Sequence, residues 1–450
     1  MTRRFLLCLS SVLCLLTTAA VSAQDDLEDR VDQAIEKGLR LVWSHQRPNG
    51  MFSDTDPVNF PKFTDGTHQT FPGGSEVMSM CVLAYSGAKP ESAEVAKSLD
   101  VFLKLPLEQT YTLGFRIIAL AEFWRHAQTK TKDDLRKTMA KDAKALIDIQ
   151  LGNGAWHYAK RETDKFYDFS NTQIAVLALG LAVECGVEIP DEVFQKVGQL
   201  YLSRQRDDGG WDYGHPQYGN KNSYGSMTAA GVASLIIVRD MLDPQGGCPC
   251  GGGRSKSTGN SQVDKAIDRG IEWLGQKFTP SLNPGWTTSL NPYWLYCCQR
   301  VGIATGMKYF ASHDWYREGA ETLLRSQSGS GAWIDYHNTC FSLLFLLKGR
   351  GPVLMNKLKY DGRWNLHGHD AANLAEYVGQ IKEQRILWQV VETKSPLAEL
   401  HESPILYITT EERVELPAEF KTTLRRFTDT GGTVLLEASC GSPAGKTFCE

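Results

Sequence analysis

Along residues 26–350 the chain alternates two kinds of apolar segment. In the first kind, apolar residues step by three or four between polar ones, as in Leu27, Val31, Ile35, Leu39 and Val42, or Val263, Ile267, Ile271 and Leu274. That spacing predicts helices with one buried stripe. In the second kind the apolar residues run nearly all round: SEVMSMCVLAYSG (75–87), TLGFRIIALAEF (112–123), TQIAVLALGLAVECG (172–186), MTAAGVASLIIV (227–238), YWLYCCQRVGI (293–303) and NTCFSLLFLLKG (338–349). Helices of that composition are buried on every side. Each is preceded by one of the first kind, near 26–46, 91–104, 132–150, 191–205, 262–276 and 314–327. No hairpin signal or strand alternation is read before about residue 385. The pattern predicts a mainly α protein over 26–350, an α/α toroid of six outer and six inner helices.

One phrase marks the corners. Gln46 to Phe52, Gln150 to Trp156, Gln205 to Trp211 and Gln327 to Trp333 all read Q-x-x-x-G-x-(W/F). The copies recur at about 55 residues or twice that, which makes them an internal repeat. Their expected role is mechanical. The glycine takes a left-handed turn after the outer helix, the aromatic residue folds back, and the glutamine satisfies free backbone groups.

After Gly349 the pattern changes. Residues 351–384 read as a connecting region. From 385 to 450, Leu387–Val391 and Ile405–Ile408 read as short buried strands, Pro417–Thr428 as an amphipathic helix, and Gly431–Glu437 as a third strand. Strand, helix and strand in that order predict part of a parallel α/β unit. Cys440 follows the third strand, where such a fold can expose a nucleophile. No His or Glu that would activate it is read downstream, so this segment is expected to lack an activity of its own.

Residues 1–23 read as a signal peptide: Arg3 and Arg4, an apolar body, and Val21-Ser22-Ala23 as a cleavage site. The mature chain, from after Ala23, is expected to be exported, periplasmic or extracellular, and to carry no transmembrane segment. Cys8 and Cys14 leave with the signal; nine of the eleven cysteines remain. Cys81, Cys185, Cys297, Cys298 and Cys340 sit in apolar runs and read as core. Cys248-Pro-Cys250 lies in a Gly/Ser-rich insertion and is a weak metal or redox signal. A net charge of -4 leaves no electrostatic footprint for nucleic acid.

The Q-x-x-x-G-x-W phrases resemble the QW motifs of the squalene/terpenoid cyclase and protein prenyltransferase superfamily, over about residues 26–350. The resemblance implies a barrel enclosing an apolar cavity that receives isoprenoid chains at the inner-helix N-termini. It also says what to look for. The D-x-D-D acid of squalene–hopene-type cyclases is absent; Asp54-Thr-Asp56 is the nearest approach. Asp335-Tyr336-His337-Asn338-Thr339-Cys340 is similar to the prenyltransferase segment that carries a zinc-binding histidine. The other half of that zinc site has no match near residues 288–294. Asp335, His337 and Cys340 are therefore a candidate metal set, with structural corner residues as the competing reading. Asp54, Asp56, Asp168, Asp212 and Asp335 fall on loops around one mouth, and leave a carbohydrate-active or carbohydrate-binding toroid open. The phrases SPILYI and GGTVLLE resemble the opening of an uncharacterised bacterial domain with a glutamine-amidotransferase-like fold.

These observations set an expectation: an exported toroid binding an apolar, isoprenoid-like molecule or an extracytoplasmic protein partner, without the usual catalytic acids. The alternatives are an isoprenoid-active enzyme with a divergent site, or a sugar-directed toroid. No cofactor is expected, zinc being the exception. Tyr293, Trp294, Tyr336, His337 and Phe341, at the starts of the last two inner helices, are expected to face the cavity.

Overall fold

The computed structural model describes residues 26–52, 73–159, 166–214, 222–243, 262–286, 289–382 and 385–450. Residues 1–23, read as a signal peptide, and Asp54, Asp56 and Cys248–Cys250 lie outside the described residues. Among the described residues, twelve helices precede residue 350. The outer ones are α1 (26–44), α3 (Ala93–Lys104), α5 (Thr129–Asp148), α7 (Asp191–Arg204), α9 (Gln262–Lys277) and α11 (Trp315–Ser326). The inner ones are α2 (Gly74–Tyr85), α4 (Thr110–His126), α6 (Phe169–Glu184), α8 (Gly225–Leu242), α10 (Pro292–Thr305) and α12 (Tyr336–Gly349).

Inner helices pack in sequence: α2 on α4, α4 on α6, α6 on α8, α8 on α10, α10 on α12, and α12 back on α2. Their all-round apolar composition follows, because each meets two inner neighbours and an outer helix. α8 matches a membrane span in length and hydropathy, but most of it is buried within the protein. A fully buried charged pair crosses between layers. Arg116 of α4 grips Asp142 of α5 through two contacts of 2.6 Å and sends Nη1 to the Phe102 and Leu105 carbonyls, with both side chains 1% exposed.

The corners are hydrogen-bonded staples. The amide nitrogens of Gln150, Gln205 and Gln327 each donate to their own phrase glycine and to the next outer helix, at Val193, Ala266 and Ala34; Gln46 donates to Glu94 and Ser98 of α3. Indole N–H groups of Trp156, Trp211 and Trp333 donate 2.8–2.9 Å back to Leu146, Tyr201 and Leu323 near the end of the preceding outer helix. Gly50, Gly154, Gly209 and Gly331 sit at φ between 89° and 93°. A Cβ on any of them would also come within 2.8 Å of backbone in the next outer helix. Only glycine fits both demands.

A short antiparallel pair, β1 (Tyr309–Phe310) and β2 (His313–Asp314), interrupts the helices. The C-terminal unit is a four-stranded parallel sheet: β3 (Val353–Lys359), β4 (Leu387–Glu392), β5 (Ile405–Thr410) and β6 (Thr433–Ala438), in the order β4-β3-β5-β6. Its helices are α13 (Asp370–Lys382), α14 (Leu397–Leu400), α15 (Ala418–Asp429) and α16 (Pro443–Cys449). Two sequence expectations are corrected here. Strands occur before residue 385, and the stretch 351–384, read as a connection, supplies the central strand β3 and helix α13. β3 escaped notice because its middle carries Asn356 and Lys357, polar residues that are fully buried and serve internal bonds.

This unit sits on the carboxyl ends of the inner helices. Val390 N–H donates to Gly306 at the end of α10 (2.8 Å), Arg385 reaches Glu122 near the end of α4 (2.7 Å), and His369 meets Asp240 near the end of α8 (3.1 Å). Lys308 adds a contact of 2.5 Å to Glu402. The N-terminal ends of the inner helices lie at the opposite end.

Candidate functional site

Toward those N-terminal ends, three inner helices bring polar side chains together. Tyr111 is on α4, Ser170 and Gln173 on α6, and Tyr293, Cys297 and Arg300 on α10, at a spacing that puts the last three on one helical face. Tyr293 Oη lies 3.3 Å from Tyr111 Oη and 3.0 Å from Ser170 Oγ, and also accepts from the Gln173 amide. Tyr111 and Ser170 hydrogen-bond each other. Gln173 Oε1 in turn accepts from Arg300 Nη1 at 2.6 Å. Burial pushes the Tyr111 and Tyr293 phenols up, so both remain neutral hydroxyls. An aromatic wall stands beside them: Phe341 packs on Tyr293, Tyr296 and Phe115 with ring centroids 5.3–6.0 Å apart.

Arg300 is the unusual member. It is 6% exposed, its Nη2 has no hydrogen-bond partner, and no carboxylate lies within ion-pair distance of it among the described residues. Other buried cations here have one: Arg116 has Asp142, and Lys357 has Asp370. A buried guanidinium without a counter-charge is costly and is normally paired.

The residues singled out from sequence divide. Tyr293 and Phe341 pack against each other beside Tyr111 and Ser170. Tyr336 bonds Ser79 of α2 through its hydroxyl (2.6 Å) and packs against His45, closing α12 onto α2. Trp294 does not face the interior; this is a correction. Its indole N–H donates 2.9 Å to the Thr279 carbonyl beyond α9, so it is the corner tryptophan of a repeat lacking the Q-x-x-x-G-x-W phrase.

The candidate metal set does not converge. Asp335 caps α12 by accepting from Asn338 N–H (2.8 Å) and Asn338 Nδ2 (3.0 Å). Asp168 caps α6 in the same way through Asn171, at 2.7 and 2.9 Å, which makes Asp335 a repeated corner device. Cys340 is fully buried, and burial pushes its thiol up. Burial lowers the basicity of His337 more than Asp335 raises it, favouring a neutral ring. Among the described residues no three His, Cys, Asp or Glu side chains gather as a metal ligand set. Of the mouth aspartates, Asp212 pairs with Arg206 at 3.1 Å.

The first corner differs from the others. Trp156, Trp211 and Trp333 N–H groups donate to threonines at the next inner helix, whereas Phe52 N–H donates to Glu76 Oε2 at 2.6 Å. Glu76 is fully buried, and desolvation pushes its carboxyl up to about 7.

A variant of the type II terpene cyclase MstE from Scytonema, in complex with geranylgeranyl dihydroxybenzoate, is similar at 10% identity and a TM-score of 0.46, over 72% of this chain and 98% of that one. Apo MstE is similar at 11% identity and a TM-score of 0.43, over 71% and 98%. At such identity shared chemistry does not follow. Residues 355–449 match the model of a family described as a domain of unknown function (DUF4159). Among curated proteins nothing matches the chain.

Proposed function

We propose that residues 26–350 form an α/α toroid that acts outside the cytoplasm as a binding protein, taking into its interior an apolar, isoprenoid-like molecule with an anionic head. The observation that carries this reading is Arg300: a buried cation with an unused N–H group, beside the Tyr111–Ser170–Tyr293–Gln173 hydroxyl and amide chain and the Phe341 wall. An anionic head would supply the missing counter-charge, and the aromatic wall would take the apolar body. The interior is reached from the inner-helix N-termini, since the α/β unit occupies the other end. Asp168 and Asp335 are engaged as helix caps, which weakens the sugar-directed alternative.

The test is a fluorescence titration of the mature protein with farnesoic acid and with farnesol. The acid is expected to bind at least about tenfold more tightly, and Arg300→Met to erase the difference. Equal affinities in the unaltered protein would refute the reading.

A further inference from the structure

The C-terminal unit holds a pair that its sequence order conceals. Cys440 Sγ lies 3.4 Å from His367 Nε2, although 73 positions separate them. Cys440 sits directly after β6, and His367 lies in the loop that follows β3, so both belong to the carboxyl edge of the parallel sheet. Ligand and active sites of such sheets form at that edge, near the point where the strand order reverses, here between β3 and β5.

Both partners are held. Cys440 has φ of 54°, a left-handed conformation that non-glycine residues seldom adopt, and it turns the chain sharply from strand to helix. Ser439 fixes the turn from beneath, buried and bonded to Thr409 of β5 at 2.5 Å. The histidine loop is clamped by Lys357 of β3. Its Nζ reaches Asn365 Oδ1 (2.7 Å), the His367 carbonyl (3.1 Å) and Asp370 Oδ1 (2.5 Å), and Tyr407 donates to the other Asp370 oxygen at 3.2 Å. The lysine side chain is 1% exposed, so the clamp is part of the core. Cys440 is exposed, whereas Cys81, Cys185, Cys297, Cys298 and Cys340 are buried.

We infer that Cys440 and His367 form a nucleophile–base pair for acyl transfer, acting on an amide or ester presented at the protein surface, with Lys357 as a positioning residue. The thiol proton passes to His367 Nε2, and the thiolate forms a carbon–sulfur bond to the carbonyl carbon. The carbon–nitrogen or carbon–oxygen bond then breaks, and the imidazolium returns its proton to the departing amine or alcohol. Water, deprotonated by His367, adds to the thioester; the carbon–sulfur bond breaks and the thiol is restored. One amide or ester and one water give one acid and one amine or alcohol.

The experiment uses the full mature chain. Its thiols are labelled with iodoacetamide at several pH values, each cysteine is followed by peptide mass spectrometry, and p-nitrophenyl acetate serves as acyl donor. Cys449, on the neighbouring helix and partly exposed, is the internal control. At pH 7 Cys440 is expected to react at least about tenfold faster than Cys449. His367→Asn should remove that advantage and move the pH midpoint of alkylation upward, with the circular dichroism spectrum unchanged. The ester should leave an acetyl group on Cys440, and its turnover should vanish in Cys440→Ser. Equal alkylation rates for the two cysteines, or an advantage that survives His367→Asn, would overturn the pair. Fast alkylation without ester turnover would overturn the acyl-transfer assignment.

Discussion

Asp142→Ala is expected to destabilise the protein by about 3–5 kcal/mol, because it strands the Arg116 guanidinium inside the helical layers without a counter-charge. The geometry leaves little room for relief. Arg116 is 1% exposed, and its remaining donors are committed to the Phe102 and Leu105 carbonyls, so the side chain cannot swing to solvent without opening the α3–α4 corner. A loss of that size is a large share of the roughly 5–15 kcal/mol that holds a domain together. The double variant Arg116→Met/Asp142→Leu should recover most of it, since apolar replacements of a buried pair are often neutral or better. Urea unfolding followed by circular dichroism measures both. A loss below about 1 kcal/mol for Asp142→Ala would show that water reaches the pair, contrary to its burial.

Glu76 should make stability fall as pH rises through neutrality. Its folded-state carboxyl, raised to about 7 by burial, holds a proton that the unfolded chain releases near the ordinary value of 4.5. The stabilisation is therefore complete below about 4.5 and is lost as pH climbs through about 7. By the time both states are ionised the loss approaches about 3 kcal/mol, from 1.36 kcal/mol per pH unit over the interval. Glu76→Gln keeps an oxygen for the Phe52 N–H and removes the titration. Measured across pH 4–9, the stability of the unaltered protein relative to the variant is expected to fall progressively between about pH 4.5 and 7 and to level off above that, with the variant the more stable at pH 8. Parallel curves would mean that Glu76 ionises as a solvated carboxylate.

How legible this molecule was depended on the range of the signal. The helices of the ring announce themselves locally: stripes at Leu27, Val31 and Ile35 mark outer helices, and unbroken apolar runs mark inner ones. The phrase glycines were readable too, because their left-handed turn is a property of four or five residues. Trp294 was misjudged since its repeat lacks the glutamine phrase, and a tryptophan opening an inner helix looks interior when its anchor, Thr279, lies outside that helix. Arg300 lies inside the run YWLYCCQRVGI, where nothing local shows whether a single arginine is solvated or buried. Its i, i+4, i+7 spacing with Tyr293 and Cys297 was the available hint. β3 was hidden by Asn356 and Lys357, whose burial makes sense only once Asp370 and Leu400 are in place. The Cys440–His367 contact joins loops after two different strands, and nothing within either loop predicts it.

The most direct test of the central claim is to extract what the ring holds. The protein, expressed from its full sequence and purified without detergent, would be examined by native mass spectrometry and its organic extract identified. The account predicts one apolar molecule with an anionic head per chain, and an empty ring in Arg300→Met folded to the same melting temperature. An empty unaltered protein, or a molecule retained equally by Arg300→Met, would contradict it.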